Sequence, residues 1–468
     1  MSDTKTTSLC PRCLRRLPAS VVRRGGEVWL ERTCPEHGEV AALVWRGPPD
    51  YDQWRVAGSG PGCCDPAENP DCPTACGLCA GHTRQTCCVL LEVTSRCDLE
   101  CPICFASARQ RSAADPSIDE IEGWFRRVLE RAPGGNVQLS GGEPTLRDDL
   151  PQVIALGRSL GLPFLQLNTN GLRLAADDGY AETLAAAGLQ TVFLQFDGVD
   201  DAAHLALRGR PLAALKERAV ERCAQAGLGV VLVPTVVRGV NLDQLGRVLE
   251  FGLERLPAVR GIHLQPLALL GRYPDAHAAG GDTAVARVTL PDVMRELAAQ
   301  SAGRIALEDL TPGDCEHALC SFSREYLHTA DGALVALRRD AAESCGCSGD
   351  SAGRSPRALE PTDKAAHVAR RWSAPAPSCC DAAPAPGDQW GDILRQVRAN
   401  TFSVSAMAFQ DAWTIDLERL RHCYLHVLAA DGRFVPFCAY NLTGADGHGL
   451  GVGRRSQRSG SRPGERVQ

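Results

Sequence analysis

Between residues 89 and 270, short runs rich in branched apolar residues alternate with longer amphipathic segments. Such runs, bounded by Gly, Asn or Pro, are typical of buried strands, and segments of helical length between them indicate crossovers. The expected strands are Val89–Val93, Asn136–Leu139, Phe164–Leu167, Thr191–Phe196, Gly229–Val233 and Gly261–Leu264. The expected helices are Ile118–Arg131, Leu150–Leu160, Ala181–Ala187, Ala213–Ala226 and Leu242–Leu256. This alternation predicts an α/β fold with a parallel sheet, and six units predict a partial (β/α)6 barrel.

Unusual residues follow each expected strand. The first strand leads into Cys97-Asp98-Leu99-Glu100-Cys101-Pro102-Ile103-Cys104. The later strands lead into Gly141-Gly142-Glu143-Pro144, Asn168-Thr169-Asn170-Gly171, Asp197-Gly198, Pro234-Thr235 and Gln265-Pro266. In parallel α/β barrels the functional groups lie at the carboxyl ends of the strands. The sequence therefore predicts a site at this rim.

Three thiolates spaced as Cys97, Cys101 and Cys104 can hold a [4Fe-4S] cluster through only three of its four irons. The fourth iron then stays open to another ligand, which makes reaction at the cluster feasible. A zinc site or an inert cluster is the alternative. Spacing does not decide which triplet is catalytic, because Cys72, Cys76 and Cys79 repeat it. We assign catalysis to the Cys97 triplet because it alone follows a strand-like run.

Cysteine usage and charge limit the class of protein. The 22 cysteines cluster at short intervals and no secretory signal precedes them, which favours metal ligation over disulfides. A net charge of −6 gives no basic footprint for nucleic acid. No apolar run is long enough to span a bilayer, and the start of the chain is polar. We expect a cytoplasmic protein.

Residues 1–62 read as a small metal-binding ribbon. The knuckles Cys10-Pro11-Arg12-Cys13 and Cys34-Pro35-Glu36-His37 are joined by a hairpin-like segment. Their nitrogen and sulfur ligands suit zinc or a single iron, and the metal would stabilise a segment too small for its own core. Residues 63–88 then form a Cys-rich auxiliary metal segment that contains Cys72, Cys76 and Cys79.

Downstream of the barrel, residues 89–290, the pattern weakens. We expect an auxiliary-cluster domain over 291–442, a partly disordered insert over 343–386, and a disordered tail over 443–468. Several cysteines there are candidates for a four-thiolate site, namely Cys315, Cys320, Cys423 and Cys438 together with Cys345 or Cys347. Cys223, on an expected helix, is expected only to pack.

The cysteine loop and the Gly-Gly-Glu-Pro turn together resemble the radical S-adenosylmethionine (SAM) superfamily. The resemblance implies that SAM completes the open iron and that an electron from a reductant such as ferredoxin or flavodoxin releases a 5′-deoxyadenosyl radical. It also implies that Gly141, Gly142 and Glu143 hold the methionyl ammonium. Ile103 occupies a position that is usually aromatic in the superfamily and would pack on adenine.

Polar groups at the strand ends are candidates for contacts to the SAM ribose or carboxylate. Turn capping by Asn and Asp, or solvated arginine, is the alternative for each. The full set of expected cofactor contacts is Ile103, Phe105, Gly141, Gly142, Glu143, Asn168, Asn170, Gln195, Asp197 and Arg208.

Several motifs extend this resemblance to the tetraether lipid synthase group of radical SAM proteins. They are the N-terminal knuckles, Cys76-Gly77-Leu78-Cys79, Cys101-Pro102-Ile103-Cys104-Phe105-Ala106 and Arg433–Asn441. This resemblance implies auxiliary iron-sulfur clusters, a mononuclear iron or zinc site, and C–C bond formation on a lipid or long-chain apolar substrate, with contact to a membrane surface left open. One alternative is a methylase or maturase acting on a peptide or pterin-like molecule. Another is a non-catalytic electron-transfer or scaffold protein.

Overall fold

The chain begins with a four-stranded antiparallel sheet of order β1-β2-β3-β4. A computed structural model describes residues 3–57, 72–73, 78, 81–108, 114–274, 287–313, 317–337, 371–375 and 389–450. The sheet contains β1 (Thr4–Leu9), β2 (Arg16–Arg24), β3 (Glu27–Cys34) and β4 (Gly38–Arg46), and helix α1 (Tyr51–Ala57) follows. Gly25 and Gly26, both at positive φ, make the two-residue turn between β2 and β3. This confirms the predicted ribbon and its hairpin.

Apolar packing, and not metal alone, stabilises the fold of the ribbon. Val21, Leu30 and Trp45 are buried in the same apolar cluster as the barrel strands. Sharing a core in this way stabilises a sheet that is too small to bury its own apolar face.

The larger sheet carries the predicted parallel strands. Its strands are β5 (Cys88–Thr94), β6 (Asn136–Gly141), β7 (Leu165–Thr169), β8 (Thr191–Gln195), β9 (Gly229–Val233), β10 (Thr235–Val236), β11 (Val259–Pro266), β12 (Ser321–His328), β13 (Leu334–Ala336), β14 (Thr401–Met407), β15 (Leu425–Leu428) and β16 (Phe434–Pro436). Their order is β13-β12-β14-β11-β9-β8-β7-β6-β5-β15-β16, with β10 paired to β11. The six consecutive neighbours from β5 to β11 pair in parallel, as predicted.

Helices lie between these strands in chain order, and one follows the last strand. They are α2 (Ile118–Arg131), α3 (Leu150–Ser159), α4 (Leu172–Ala176), α5 (Tyr180–Ala186), α6 (Asp201–Arg208), α7 (Ala213–Gln225), α8 (Leu245–Leu253), α9 (Leu290–Gln300), α10 (Gln389–Ala399), α11 (Leu417–Arg421) and α12 (Phe437–Asn441). A capping box at Ser117 and Glu120 fixes the start of α2. The helix predicted over Leu242–Leu256 is shorter: a 3₁₀ turn over Leu242–Gln244 precedes α8, and Asn241 caps the preceding turn by accepting from Val237 N.

The C-terminal region, predicted as an auxiliary-cluster domain over 291–442, continues the sheet of the barrel. Strand β14 pairs in parallel with β11, and β15 pairs in parallel with β5, so this region extends both edges of the barrel sheet. The physical reason is that exposed edges of apolar strands need partners, and Phe402, Val404 and Ala406 complete the core beside β11. The described strands do not close into a barrel, because β13 and β16 are the two ends of the strand order.

The predicted, partly disordered insert over 343–386 is described only at residues 371–375, which contact the barrel. The rest of the insert lies outside the described residues, so the prediction stays a prediction. The predicted tail is described only up to residue 450. Among the helices that the structure describes, none combines the length and the apolar character that a bilayer span requires.

Candidate active site and metal centres

The N-terminal ribbon brings four predicted ligands together. The ligand atoms of Cys10, Cys13, Cys34 and His37 all lie within 4.8 Å of one another. His37 Nδ1 is 3.5 Å from Cys10 Sγ and 3.4 Å from Cys34 Sγ. Three sulfurs and one imidazole at this separation fit a tetrahedral zinc or a single iron. The predicted metal site of the ribbon therefore has the geometry of a closed, four-donor centre.

The backbone prepares this site for a metal cation. Burial opposes ionisation of Cys34, but N–H donors of Glu36 and His37 outweigh it and lower the pKa of the thiol to about 6. A thiolate is the form that binds metal.

The second cysteine set, Cys97, Cys101 and Cys104, lines a pocket of about 390 Å³ at the carboxyl ends of the barrel strands. Arg272, which follows β11, holds their loop. The backbones of Cys104 and Arg272 exchange hydrogen bonds of 2.8 and 2.9 Å, and Arg272 Nε donates to Cys101 O at 2.9 Å. Gly271 has φ +64°, and a Cβ there would lie 2.2 Å from Phe105 O. Sequence analysis missed this clamp because it joins segments far apart in the chain.

The donor set of this loop fits an iron-sulfur cluster held through three irons. Leu99, Leu212 and Cys101 pack together, with Cys97 and Cys104 against them. Burial raises the pKa of Cys97 to about 12 and raises that of Cys101 as well. Thiols this shielded ionise readily only beside a cation, which iron supplies. Cys97, Cys101 and Cys104 would hold a [4Fe-4S] cluster through three of its irons, and the fourth iron would stay available for another ligand.

The Gly-Gly-Glu turn is built against the strand that leads into the cysteine loop. A Cβ at Gly141 would lie 2.1 Å from Thr94 O, and one at Gly142 would lie 2.0 Å from Arg96 O. The amides of Gly142 and Glu143 donate to those same two carbonyls at 2.8 Å. Both glycines are therefore required by close backbone packing, whatever they also contact in the pocket.

Glu143 joins two of the rim turns. Its buried carboxylate accepts from Thr145 N and Oγ1 at 3.0 and 2.6 Å, from Thr169 Oγ1 at 2.7 Å, and from Asn170 N at 2.7 Å. Burial raises the pKa of this carboxyl group, and the four donors oppose the increase. The side chain thus ties the turn after β6 to the turn after β7. Contact with the methionyl ammonium stays a prediction.

Asp197 and Arg208 form a buried ion pair beneath the rim. Arg208 donates from Nε and Nη2 to the two carboxylate oxygens at 2.7 and 2.8 Å, and Thr235 N donates at 3.1 Å. Burial alone would raise the pKa of Asp197, but the Arg208 charge outweighs it and lowers this pKa. Arg208 also hydrogen-bonds the Cys101 thiol. The sequence analysis missed this pairing because Arg208 is the last residue of the following helix, α6, and only the fold turns it back toward Asp197. A buried carboxylate needs such a cationic partner.

The expected cofactor contacts converge on one cavity, with one exception. Those that line the pocket of the cysteines are Ile103, Phe105, Gly141, Gly142, Glu143, Asn168, Asn170, Gln195 and Arg208. Asp197 lies behind this wall and acts through Arg208. Asn168 belongs to the end of β7, and Asn170 Nδ2 donates to Asp98 Oδ1 at 2.7 Å.

Lys216 is a rim residue that sequence analysis missed. It is fully buried on α7, and its Nζ donates to Asn170 O and, at 2.7 Å, to Gln195 Oε1. Burial lowers the pKa of the amine to about 7. The available signal was its spacing: Lys216 lies on the same helix face as the buried Ala219, Val220 and Cys223. Cys223 itself packs with the barrel core, as predicted.

A third cysteine group lies where the two edges of the open sheet approach each other. Cys320 immediately precedes β12 on one edge, Cys423 lies just before β15 on the other, and Cys438 is in α12. Burial is the largest cause that raises the pKa of Cys423 and Cys438, and the neighbouring thiols add to it. Arg419 Nε donates to Cys320 Sγ at 3.0 Å. These three are part of the predicted four-thiolate site.

The other predicted auxiliary ligands are less complete. Cys72 is buried in the same apolar cluster as Cys438. Its predicted companions Cys76 and Cys79, and the candidates Cys315, Cys345 and Cys347, lie outside the described residues.

Several known families and proteins are similar to parts of this chain. The HMPTM N-terminal zinc ribbon domain matches residues 3–46, and the radical SAM superfamily matches residues 91–252. The probable GTP 3′,8-cyclase of Methanothermobacter thermautotrophicus is 28% identical over 39% of this chain and 59% of its own. Among solved structures, Streptococcus suis SuiB bound to precursor peptide SuiA has a TM-score of 0.38 and 16% identity, covering 47% of this chain and 46% of that one.

One relative aligns over nearly the whole chain. The 7,8-dihydro-6-hydroxymethylpterin dimethyltransferase of Methanocaldococcus jannaschii is 32% identical over 94% of this chain and 93% of its own. The match includes the ribbon and the C-terminal region as well as the barrel. The protein is therefore a radical SAM enzyme, and it belongs to the family that includes this dimethyltransferase.

Proposed function

We propose that this enzyme methylates carbon atoms of a pterin-like small molecule by radical SAM chemistry. The observation that carries the proposal is the alignment with the M. jannaschii dimethyltransferase over 94% of the chain. The pocket agrees with a polar heterocycle, since Gln138, Asn168 and His263 line its interior below the cysteines. Amide and imidazole groups give a heterocycle hydrogen-bonding partners that an alkyl chain does not use.

A [4Fe-4S] cluster with bound SAM would supply a carbon radical strong enough to take hydrogen from a C–H bond. Cys97, Cys101 and Cys104 would hold the cluster. The residues of the chain hold the elements around this site in place. Arg272 fixes the cysteine loop, and Glu143 and Lys216 fix the turns that face it. Leu99, Ile103 and Phe105 line this corner of the pocket.

A second candidate is C–H activation and C–C bond formation on a lipid or long-chain apolar substrate, as in the tetraether lipid synthase group. An apolar part of the wall of the same pocket favours it. This wall consists of Leu90, Leu267, Leu270, Met407, Phe409 and Phe437. It has less support than the pterin reading, because the relative that aligns along the whole chain bears a pterin substrate in its name.

The metal content also belongs to this proposal. We assign zinc or a single iron to the ribbon, and an auxiliary iron-sulfur cluster to the group of Cys320, Cys423 and Cys438 with a fourth ligand from outside the described residues. A flavodoxin or ferredoxin would supply the electrons. A scaffold without SAM cleavage would keep these metals and form no 5′-deoxyadenosine.

The test is anaerobic turnover with dithionite, SAM and 7,8-dihydro-6-hydroxymethylpterin. We expect 5′-deoxyadenosine and a pterin that gains the mass of one methylene for each methylation. SAM labelled with deuterium in its methyl group distinguishes SAM from a second methyl donor. A parallel reaction with a glycerol dialkyl lipid tests the second candidate: crosslinked chains with an unchanged pterin would overturn the pterin proposal.

A further inference from the structure

The pocket does not run through the barrel, because residues 371–374 lie across its lower end. The Trp372 ring is 4.9 Å from the Phe193 ring in an edge-on arrangement. A Cβ at Gly229, the first residue of β9, would lie 2.1 Å from Trp372 O. Arg371 Nε donates to Ser403 Oγ at 2.8 Å and pairs with Glu325 at 3.4 Å. These partners lie toward the amino ends of β8, β9 and β14, opposite the cysteine rim.

Trp372 therefore forms a floor under the cavity that the cysteines face, since both line the same pocket. Phe193, which Trp372 contacts, lies four positions before Asp197, which follows β8. At about 3.3 Å per residue, the floor lies roughly 13 Å below the rim. That depth holds one bicyclic ring beneath a cofactor and does not allow a long chain to pass through the barrel.

A chain of amide side chains crosses the wall of this cavity. Asn136 Nδ2 donates to Gln166 Oε1 at 3.1 Å, Gln166 Nε2 donates to Asn168 Oδ1 at 2.8 Å, and Asn168 Nδ2 donates to Gln138 Oε1 at 3.0 Å. These bonds fix the orientation of every amide in the series. They leave Asn136 Oδ1, at the lower end of β6, as an acceptor directed away from the chain.

Among the buried polar atoms at the floor that have no hydrogen-bond partner in the described residues are the acceptor Asn136 Oδ1 and the donor Trp372 Nε1. Asn136 is only 5% exposed and lines the pocket, as does Trp372. Leaving such atoms unpaired is unfavourable, so native structures pair them with water or a ligand.

We infer that Trp372 and Asn136 form the substrate-recognition end of the cavity and bind the amino-pyrimidinone edge of a flat heterocycle. This rests on the proposed function and adds an orientation to it. Trp372 Nε1 donates to an oxo or ring nitrogen, Asn136 Oδ1 accepts from an amino or ring N–H, and Phe193 and Trp372 supply apolar contact. The carbon to be modified then points up toward Cys97, Cys101 and Cys104.

The test measures binding of 7,8-dihydro-6-hydroxymethylpterin to the reconstituted enzyme with SAM, by anaerobic equilibrium dialysis. Trp372→Phe keeps the ring and removes the N–H donor, so the dissociation constant should rise roughly tenfold. Asn136→Leu should weaken binding by a similar factor from the other side of the cavity. Trp390→Phe is the matched control, because Trp390 is 76% exposed on α10 and should bind as wild type does.

Formation of 5′-deoxyadenosine without substrate separates recognition from cofactor binding and folding. It should be unchanged in Trp372→Phe and Asn136→Leu, and the iron content should equal that of wild type. Unchanged pterin binding in both variants, with tight binding by wild type, would overturn the inference and leave the proposed function standing. Failure of wild type to bind the pterin would overturn both. If one variant loses iron, pterin binding by the other variant decides whether the inference holds.

Discussion

The ribbon centre and the rim loop use the same residue type for opposite purposes. In the ribbon, three cysteines and His37 from two turns converge until all ligand atoms lie within 4.8 Å. At the rim, three cysteines from one loop face a cavity of about 390 Å³. Four converging donors saturate a single metal ion, whereas three spread donors hold a larger cluster and leave one position for a ligand. The difference separates a metal that stabilises structure from a metal that takes part in a reaction.

The pKa values of the cysteine thiols also differ between the two sites. Backbone donors lower the pKa of Cys34 to about 6, whereas burial raises that of Cys97 to about 12. The ribbon thus stabilises a thiolate before any metal arrives. The rim loop instead needs the positive charge of its iron to keep Cys97 ionised.

The largest effect should come from removing a rim ligand. Cys101→Ala takes away one of three protein ligands, so the cluster should be lost and 5′-deoxyadenosine should fall to background. The ribbon metal, measured by elemental analysis, should stay at the wild-type level. Cys223→Ala makes the same chemical change in a buried cysteine of α7 and should leave product formation unchanged. Normal product from Cys101→Ala would remove the distinction between the two sites.

The next effect concerns the turn that faces the cluster. In Glu143→Gln the new NH₂ group cannot accept a hydrogen bond, so at least one of the donors from Thr145, Thr169 and Asn170 loses its partner. The KM for SAM should rise roughly tenfold, because the rim turns lose their fixed position. Glu120→Gln, on the exposed start of α2, is the matched control. An unchanged KM would show that Glu143 does not organise the cofactor site.

Removing a ribbon ligand should change stability more than chemistry. Cys34→Ala should lose the single metal and lower the thermal unfolding midpoint by roughly 5 °C or more, since metal binding and folding are coupled. Product formation per rim cluster should stay within about twofold of wild type. Arg15→Ala, which breaks an exposed ion pair with Glu36 on the same ribbon, should have little effect on the midpoint. A ribbon variant that forms no 5′-deoxyadenosine would contradict the structural role.

The smallest effect is a pH dependence from Lys216. Burial lowers its pKa from 10.5 to about 7 in the folded protein; the charge of Asp197 opposes this shift and that of Arg208 adds to it. Between these values the unfolded chain binds more protons than the folded one, so stability should rise with pH across this window. Lys216→Met should lack that rise in urea unfolding, and the exposed Lys5→Met should keep it. If the free energy of unfolding of wild type and of Lys216→Met changed in parallel with pH, the lowered pKa of the buried amine would be contradicted.

The sequence predicted the parts of this molecule that local patterns determine. Branched apolar runs placed β5 and β9 to within a residue, because buried parallel strands need such residues at nearly every position. Spacing of Cys10, Cys13, Cys34 and His37 predicted the ribbon centre, because both knuckles lie in tight turns of one small sheet.

The sequence did not predict the contacts between residues that are far apart in the chain. Arg272 reaches the cysteine loop from 168 or more positions away, and Trp372 meets Phe193 across the barrel, so no local pattern marks either residue. The Asp197 prediction failed to anticipate its partner for a related reason: Arg208 lies at the end of the following helix, and only the fold turns it back toward the carboxylate. Lys216 offered a signal in its helical spacing, but a lysine on an apolar face is ordinarily solvated.

The central claim is that the rim cluster keeps one iron for SAM, in contrast to the saturated ribbon metal. Pulsed EPR of the dithionite-reduced enzyme with SAM carrying ¹⁵N in its methionyl amine tests this directly. The account predicts a ¹⁵N hyperfine coupling to the cluster that is absent from Cys101→Ala and retained in Cys34→Ala. A reduced cluster whose spectrum is the same with and without SAM, and which shows no coupling, would contradict it.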